Sequence, residues 1–89
     1  MAAIVSGTFT GTGQSSVIDG RAVSIKMDFA GTASVDVEQR INSAWIKIDT
    51  GITADYSKVF ESPIIEALRL NCTSYTNDVV YRLETGQNG

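Results

Sequence analysis

From Val23 to Phe29 apolar and polar residues alternate without a break. Val23, Ile25, Met27 and Phe29 form one face, and Ser24, Lys26 and Asp28 the other. A period of two marks a half-buried strand and cannot be laid on a helix of period 3.6. The alternation recurs at Ala33, Val35 and Val37 against Ser34, Asp36 and Glu38. It recurs again at Val79, Tyr81 and Leu83 against Val80, Arg82 and Glu84. Composition agrees: 9 Ile and 8 Val stand against 3 Leu, and Ser and Thr add 18 more residues. β-branched side chains are stiff and suit a pleated surface, whereas a helical domain of this size would be led by Leu and Ala.

Turn chemistry divides the chain. A first strand is expected from about Ala3 to Thr12, with Val5, Gly7 and Phe9 on one face; Ala2–Thr12 also reads as an arm able to add a strand to a neighbour. Asp19-Gly20, set between apolar residues, is a hairpin signal. Ala30-Gly31 and Asn42-Ser43 are turns, and Ser74–Asn77 is a hairpin loop. Residues 52–60 fit neither period, so a short strand and a loop are expected there. Ser62-Pro63 could start a helix; the alternation of Leu68, Leu70 and Cys72 with Arg69, Asn71 and Thr73 favours one turn at 63–66 and a strand from Ala67 to Ser74. The sum is an all-β domain over residues 1–89: a small antiparallel β-sandwich or barrel of seven to eight short strands.

Size and charge narrow the function. An 89-residue chain hides only about 60–65% of its unfolded surface and is thinly stabilised alone. It has one Cys and no His, so neither an intrachain disulfide nor a structural zinc site is expected. Self-association, or attachment to a larger assembly, is the expected support. The missing His removes Ser-His-Asp and Cys-His catalysis, and no enzyme, cofactor or metal is expected. With 7 basic residues against 10 acidic ones the net charge is −3, which argues against nucleic-acid binding. No apolar stretch reaches membrane-spanning length, and the first residues lack the features of a secretory signal. Synthesis in a cytoplasm and no membrane partner are the expectation.

Few residues stand out as contacts. Asp36 and Glu38 share a strand face, where a solvated charged edge outweighs an acid/base pair. Arg69 and Arg82 fall on the outer faces of two strands expected to pair; a shifted register would set Arg69 against Glu84, and Glu38 is another candidate partner. Trp45 lies in phase with Lys47 and Asp49, opposite Ile46 and Ile48. It is either an interface anchor or a core residue, and in both cases the strand is apolar on two faces. The candidate contact residues are therefore Ile4, Val5, Phe9, Trp45, Lys47, Arg69 and Arg82. Cys72 reads as a small core hydrophobe.

Leu68-Arg69-Leu70-Asn71-Cys72-Thr73-Ser74-Tyr75-Thr76, followed by Val80-Tyr81-Arg82-Leu83, resembles the C-terminal hairpin of a group of small tailed-phage virion proteins. Phe29-Ala30-Gly31-Thr32-Ala33-Ser34-Val35, then Gln39-Arg40 and Trp45, is similar to their upstream pattern. The likeness spans roughly residues 22–49 and 67–84. It departs at Ile41-Asn42-Ser43, where an Asp/Gly turn is usual, at Leu68, where Tyr is usual, and over 52–66. The resemblance implies a non-enzymatic head decoration or cement protein, a β-sandwich seated as a homotrimer on the major capsid protein at the capsid surface of the virion. A tail, fibre or baseplate β-module is the nearest alternative, and a small carbohydrate-binding module a more distant one.

Overall fold

The structure is a computed structural model that describes residues 4–85, with the backbone alone described at 20–21 and 61–66. Seven strands follow in order: β1 (Ile4–Phe9), β2 (Gly13–Gln14), β3 (Ile18–Phe29), β4 (Ala33–Ile41), β5 (Ala44–Ile52), β6 (Tyr56–Tyr75) and β7 (Val79–Thr85). All pairings are antiparallel. The fold is all-β, as the alternation requires.

β6 organises the molecule. Its 20 residues pair with β3 from Tyr56 to Leu68, and then with β4 from Leu68 to Tyr75. Two antiparallel sheets result, β1-β7-β3-β6 and β2-β6-β4-β5, joined through the one long strand. The β3–β6 register shifts just before this change of partner. Ile18 to Gly20 is matched by Leu68 to Ile65, and Gly20 to Ala22 by Ile65 to Glu61, so β6 carries the surplus residues. Bulges of this kind bend and twist a strand. Pro63 sits inside the surplus stretch, where its missing N–H removes no ladder bond.

Three expectations are corrected here. Asp19-Gly20 is no hairpin turn: β3 runs straight through it, because Val23–Met27 is paired on both sides, with β6 and with β7. The helical turn expected at 63–66 is strand, and the strands expected at 52–60 and 67–74 are parts of β5 and β6. The hairpin loop expected at Ser74–Asn77 is instead a 76–78 connection between β6 and β7, which do not pair with each other, because β3 lies between them. The turns at Ala30-Gly31 and Asn42-Ser43 stand. Asn42-Ser43 closes the β4–β5 hairpin, with Asn42 at φ 58°. The 30–32 and 76–78 loops clasp each other: Thr76 and Asn77 N–H donate to the Thr32 carbonyl at 3.1 and 2.8 Å, and Thr32 N–H donates to Asn77 Oδ1 at 2.9 Å. Gly31 is required there, because a Cβ would run into the Asn77 side chain.

The core follows the alternation. Val23 and Ile25 of β3, Val35 and Val37 of β4, Leu68 and Leu70 of β6, and Val79 and Leu83 of β7 are fully buried. Phe9 closes one end, its ring centroid 4.7 Å from that of Tyr81. Cys72 is a buried free thiol, as expected of a small hydrophobe. The β4–β5 hairpin tip is different: Ile41 and Ile46 remain 46% and 42% exposed.

Ser15 fills the break between β2 and β3. Its N–H donates to the Leu70 carbonyl at 2.9 Å, and its Oγ accepts from Leu70 N–H at 2.9 Å. The hydroxyl stands in for a backbone acceptor that the interrupted edge lacks. Ser15→Ala strips the buried Leu70 N–H of this partner, and a cost of about 1–3 kcal/mol in urea denaturation is expected. A loss below a few tenths would show that the amide has another acceptor.

Candidate functional site

The outer face of β4, β5 and β6 gathers the polar residues of the second sheet. Register makes them neighbours: Glu38 faces Lys47 on β5 and Arg69 on β6, Asp36 faces Asn71, and Arg40 faces Trp45. Glu38 Oε1 accepts from Arg69 Nε at 2.8 Å. Glu38 Oε2 accepts from Lys47 Nζ and from Asn71 Nδ2, both at 3.1 Å. Asp36 Oδ2 accepts from Lys47 Nζ at 2.7 Å, and Oδ1 from Gly51 N–H at 2.9 Å. Gly51 holds φ 65°, a left-handed turn of the backbone that glycine adopts without strain. The guanidinium of Arg69 lies 4.0 Å from the Trp45 ring centroid, a cation–π contact. Gln14 on β2 extends the network by donating to Asn71 Oδ1 at 3.3 Å.

This arrangement corrects the reading of Asp36 and Glu38 as a solvated charged face. They are 7% and 5% exposed, roofed by the side chains that neutralise them. It also corrects the pairing expected of Arg69 and Arg82. The C-terminal part of β6 pairs with β2 and β4, and β7 pairs with β1 and β3, so the two arginines lie in different sheets. Arg69 takes Glu38, and Arg82 takes Glu84 of its own strand at 3.4 Å. Trp45 is half-buried beneath the guanidinium.

The candidate contact residues thus separate into two groups. Trp45, Lys47 and Arg69 come together on the second sheet. Ile4, Val5, Phe9 and Arg82 belong to the edge of the first, where Ser6 faces Arg82 and Val5 faces Leu83. Ile4 is 53% exposed, Val5 packs against the core and Phe9 is buried within it. Asn71, Gly51, Ser15 and Gln14 were not singled out as functional in the sequence. A polar residue two positions from Arg69 on the same face was the available signal for Asn71.

Both carboxyls are held ionised. Burial pushes the Asp36 pKa up, but the hydrogen bonds from Lys47 and Gly51, with the Lys47 charge, outweigh it and bring the pKa below the ordinary range. Burial likewise raises Glu38, and hydrogen bonds from Arg69, Lys47 and Asn71 overcome it. A general acid working near neutrality is shifted the other way. Among the described residues no group of three or more His, Cys, Asp or Glu is placed to hold a metal ion. On the neighbouring edge, Tyr56 Oη donates to Asp49 Oδ2 at 2.7 Å, with Lys58 Nζ 3.8 Å away. Burial first, and then the bond to Asp49, push the Tyr56 phenol up.

The signs give a pH profile. The two carboxyls have folded values below their unfolded ones, so their stabilisation is complete at neutral pH. It declines as pH falls through about 4 and is lost below the folded values. Tyr56 has a raised folded value, so its contribution holds up to about pH 10 and is lost as pH rises further. Urea midpoints should form a plateau with two falling limbs. Glu38→Gln should flatten the acid limb and Tyr56→Phe the alkaline one; limbs unmoved by these changes would assign the titration to other groups.

Fold and site together define a class: a two-sheet antiparallel β protein whose one polar face is internally neutralised and whose neighbouring hairpin leaves Ile41 and Ile46 exposed. The crystal structure of the SPBc2 prophage-derived protein YomS has a similar fold, with a TM-score of 0.69, 12% identity, and 94% of this chain and 93% of that one covered. The sequence matches no protein-family model and no curated protein.

Proposed function

We propose that this chain is a non-enzymatic phage virion component, a head decoration or cement protein that binds and stabilises the capsid shell as an oligomer. The observation that carries the reading is the likeness of the whole fold to a prophage-derived protein, which covers nearly all of both chains. The β4–β5 hairpin supplies the shell contact in this reading. Ile41 and Ile46 are exposed on one side of it, and the Trp45–Arg69 stack lies on the other. Apolar surface beside an aromatic–arginine pair is the composition of interface cores.

The test is particle incorporation. Virions made with a tagged copy should carry the protein on the head in a particle reconstruction, and Ile46→Asp should lower its occupancy while leaving the fold intact. Tagged protein on the tail, fibre or baseplate would establish the alternative assignment. Its absence from purified virions would end both. A glycan array free of hits is expected; hits lost with Trp45→Ala would support a carbohydrate-binding module instead.

A further inference from the structure

We propose that the open edge of β1 docks β1 of a second copy of this chain, the two strands running antiparallel about Ser6. Among the described residues the sheet order leaves β1 and β5 as terminal strands, with the short β2 alongside β6. β5 is protected against edge pairing: it carries Lys47 and Asp49, and its ladder with β4 is broken by register shifts. β2 is two residues long. Charges, bulges and shortness are the means by which sheets avoid joining others. β1 has none of them. Ile-Val-Ser-Gly-Thr-Phe contains no charge and no proline, and the six residues pair with β7 without a shift. The first charged side chain in the sequence is Asp19.

A second copy fits this edge for a reason of parity. Ile4, Ser6 and Thr8 lie on the outer face, and Val5, Gly7 and Phe9 on the inner face. Antiparallel neighbours share a face, so only registers that set outer residues against outer ones keep both cores on the same side. Placing Ser6 against Ser6 of the second copy does this. Ile4, which is 53% exposed, then faces Thr8 of the copy, and Val5 faces its Gly7. No charged side chain of either β1 meets another. A copy's β5 laid on the same edge would bring Lys47 and Asp49 against an uncharged strand with nothing to pair them. The contact is two-fold and closes on itself, so a trimer would need a separate surface. It stands apart from the virion reading: sedimentation decides the one, particle incorporation the other.

The experiment is sedimentation velocity of the full chain from low micromolar to about 100 µM, with native mass spectrometry of mixtures. The wild type should pass from monomer to dimer. Ser6→Glu should raise the dissociation constant about tenfold or more, because two like charges then face each other across the two-fold axis. Within its own chain the new carboxylate faces Arg82, so the thermal midpoint should not fall. Ser6→Lys should weaken the dimer similarly, and an equimolar mixture of the two variants should restore it as a mixed species. A wild type that stays monomeric throughout, leaving the edge to a foreign strand, would overturn the proposal. So would association that Ser6→Glu leaves unchanged.

Discussion

Leu68→Ala should cost about 3–5 kcal/mol, the upper part of the range for buried leucines. Leu68 is fully buried and stands where β6 passes from one sheet to the other. Its backbone is registered to Ile18 of β3 on one side and to Gln39 of β4 on the other. Neighbours held by two ladders have little freedom to collapse into the space left behind, which keeps the cavity cost high. Small domains have only about 5–15 kcal/mol of stability in total, and this one lies at the small end in size. Urea denaturation should show the midpoint falling with the slope unchanged. Ile41→Ala is the control: it removes a comparable apolar group from the exposed hairpin tip and should change stability by less than about 0.5 kcal/mol. A loss below 1 kcal/mol for Leu68→Ala would mean that the two sheets do not share a core at this point.

The second large effect is expected at Glu38. Glu38→Gln keeps the shape of the side chain but replaces an acceptor by a donor. Oε1 serves Arg69, and Oε2 serves Lys47 and Asn71, so whichever way the amide turns, an N–H group meets a donor. The lost charge also leaves Arg69 without its carboxylate partner. Breaking a buried pair costs about 3–5 kcal/mol. Lys47 is half exposed and can turn to water, so about 2–4 kcal/mol is expected. For a domain of this length that is a fall of roughly 10–25 °C in thermal midpoint. Combined with Arg69→Met, the cost of Glu38→Gln should shrink by about 1 kcal/mol or more, the signature of direct coupling. A cost under 0.5 kcal/mol would place the carboxylate among ordinary surface charges.

These two residues show how differently fold and site could be read from the chain. Leu68 was legible: with Leu70 and Cys72 it follows a period of two, and all three are buried. Glu38 was legible as a member of a polar face and as one candidate partner of Arg69, a pairing the structure contains; its burial was not legible. Its phase is right, since Asp36 and Glu38 do point away from the apolar core of their sheet. Their burial comes from Lys47, Arg69 and Asn71, which lie 9, 31 and 33 residues away along the chain. Charged residues fold over a sheet face when their partners stand on the next strand, and the identity of the next strand is not a local property.

The same reason separates the Asn42-Ser43 turn, which local chemistry shows correctly, from those it does not. Asn42-Ser43 joins strands that pair with each other, so local chemistry and tertiary pairing agree. Asp19-Gly20 has equally good turn chemistry, but the residues after it are held between β6 and β7, and the strand continues. The hairpin loop expected at Ser74–Asn77 is a reversal at 76–78 that joins strands which do not pair with each other, so the arginines beyond its two ends never meet.

By itself the sequence determined the class and the faces: an all-β chain, which side chains point inward along each strand, and where the chain can reverse. Those properties follow from the two-residue period and from backbone freedom at single positions, both set within a few residues. Only the tertiary structure decided which strands lie side by side, that β6 serves both sheets, that Asp36 and Glu38 are buried as ion pairs, and that β1 is a terminal strand among the described residues. Each depends on contacts between distant segments. Many registers satisfy the alternation equally well, and the chain settles among them by packing one core and pairing its charges at the same time.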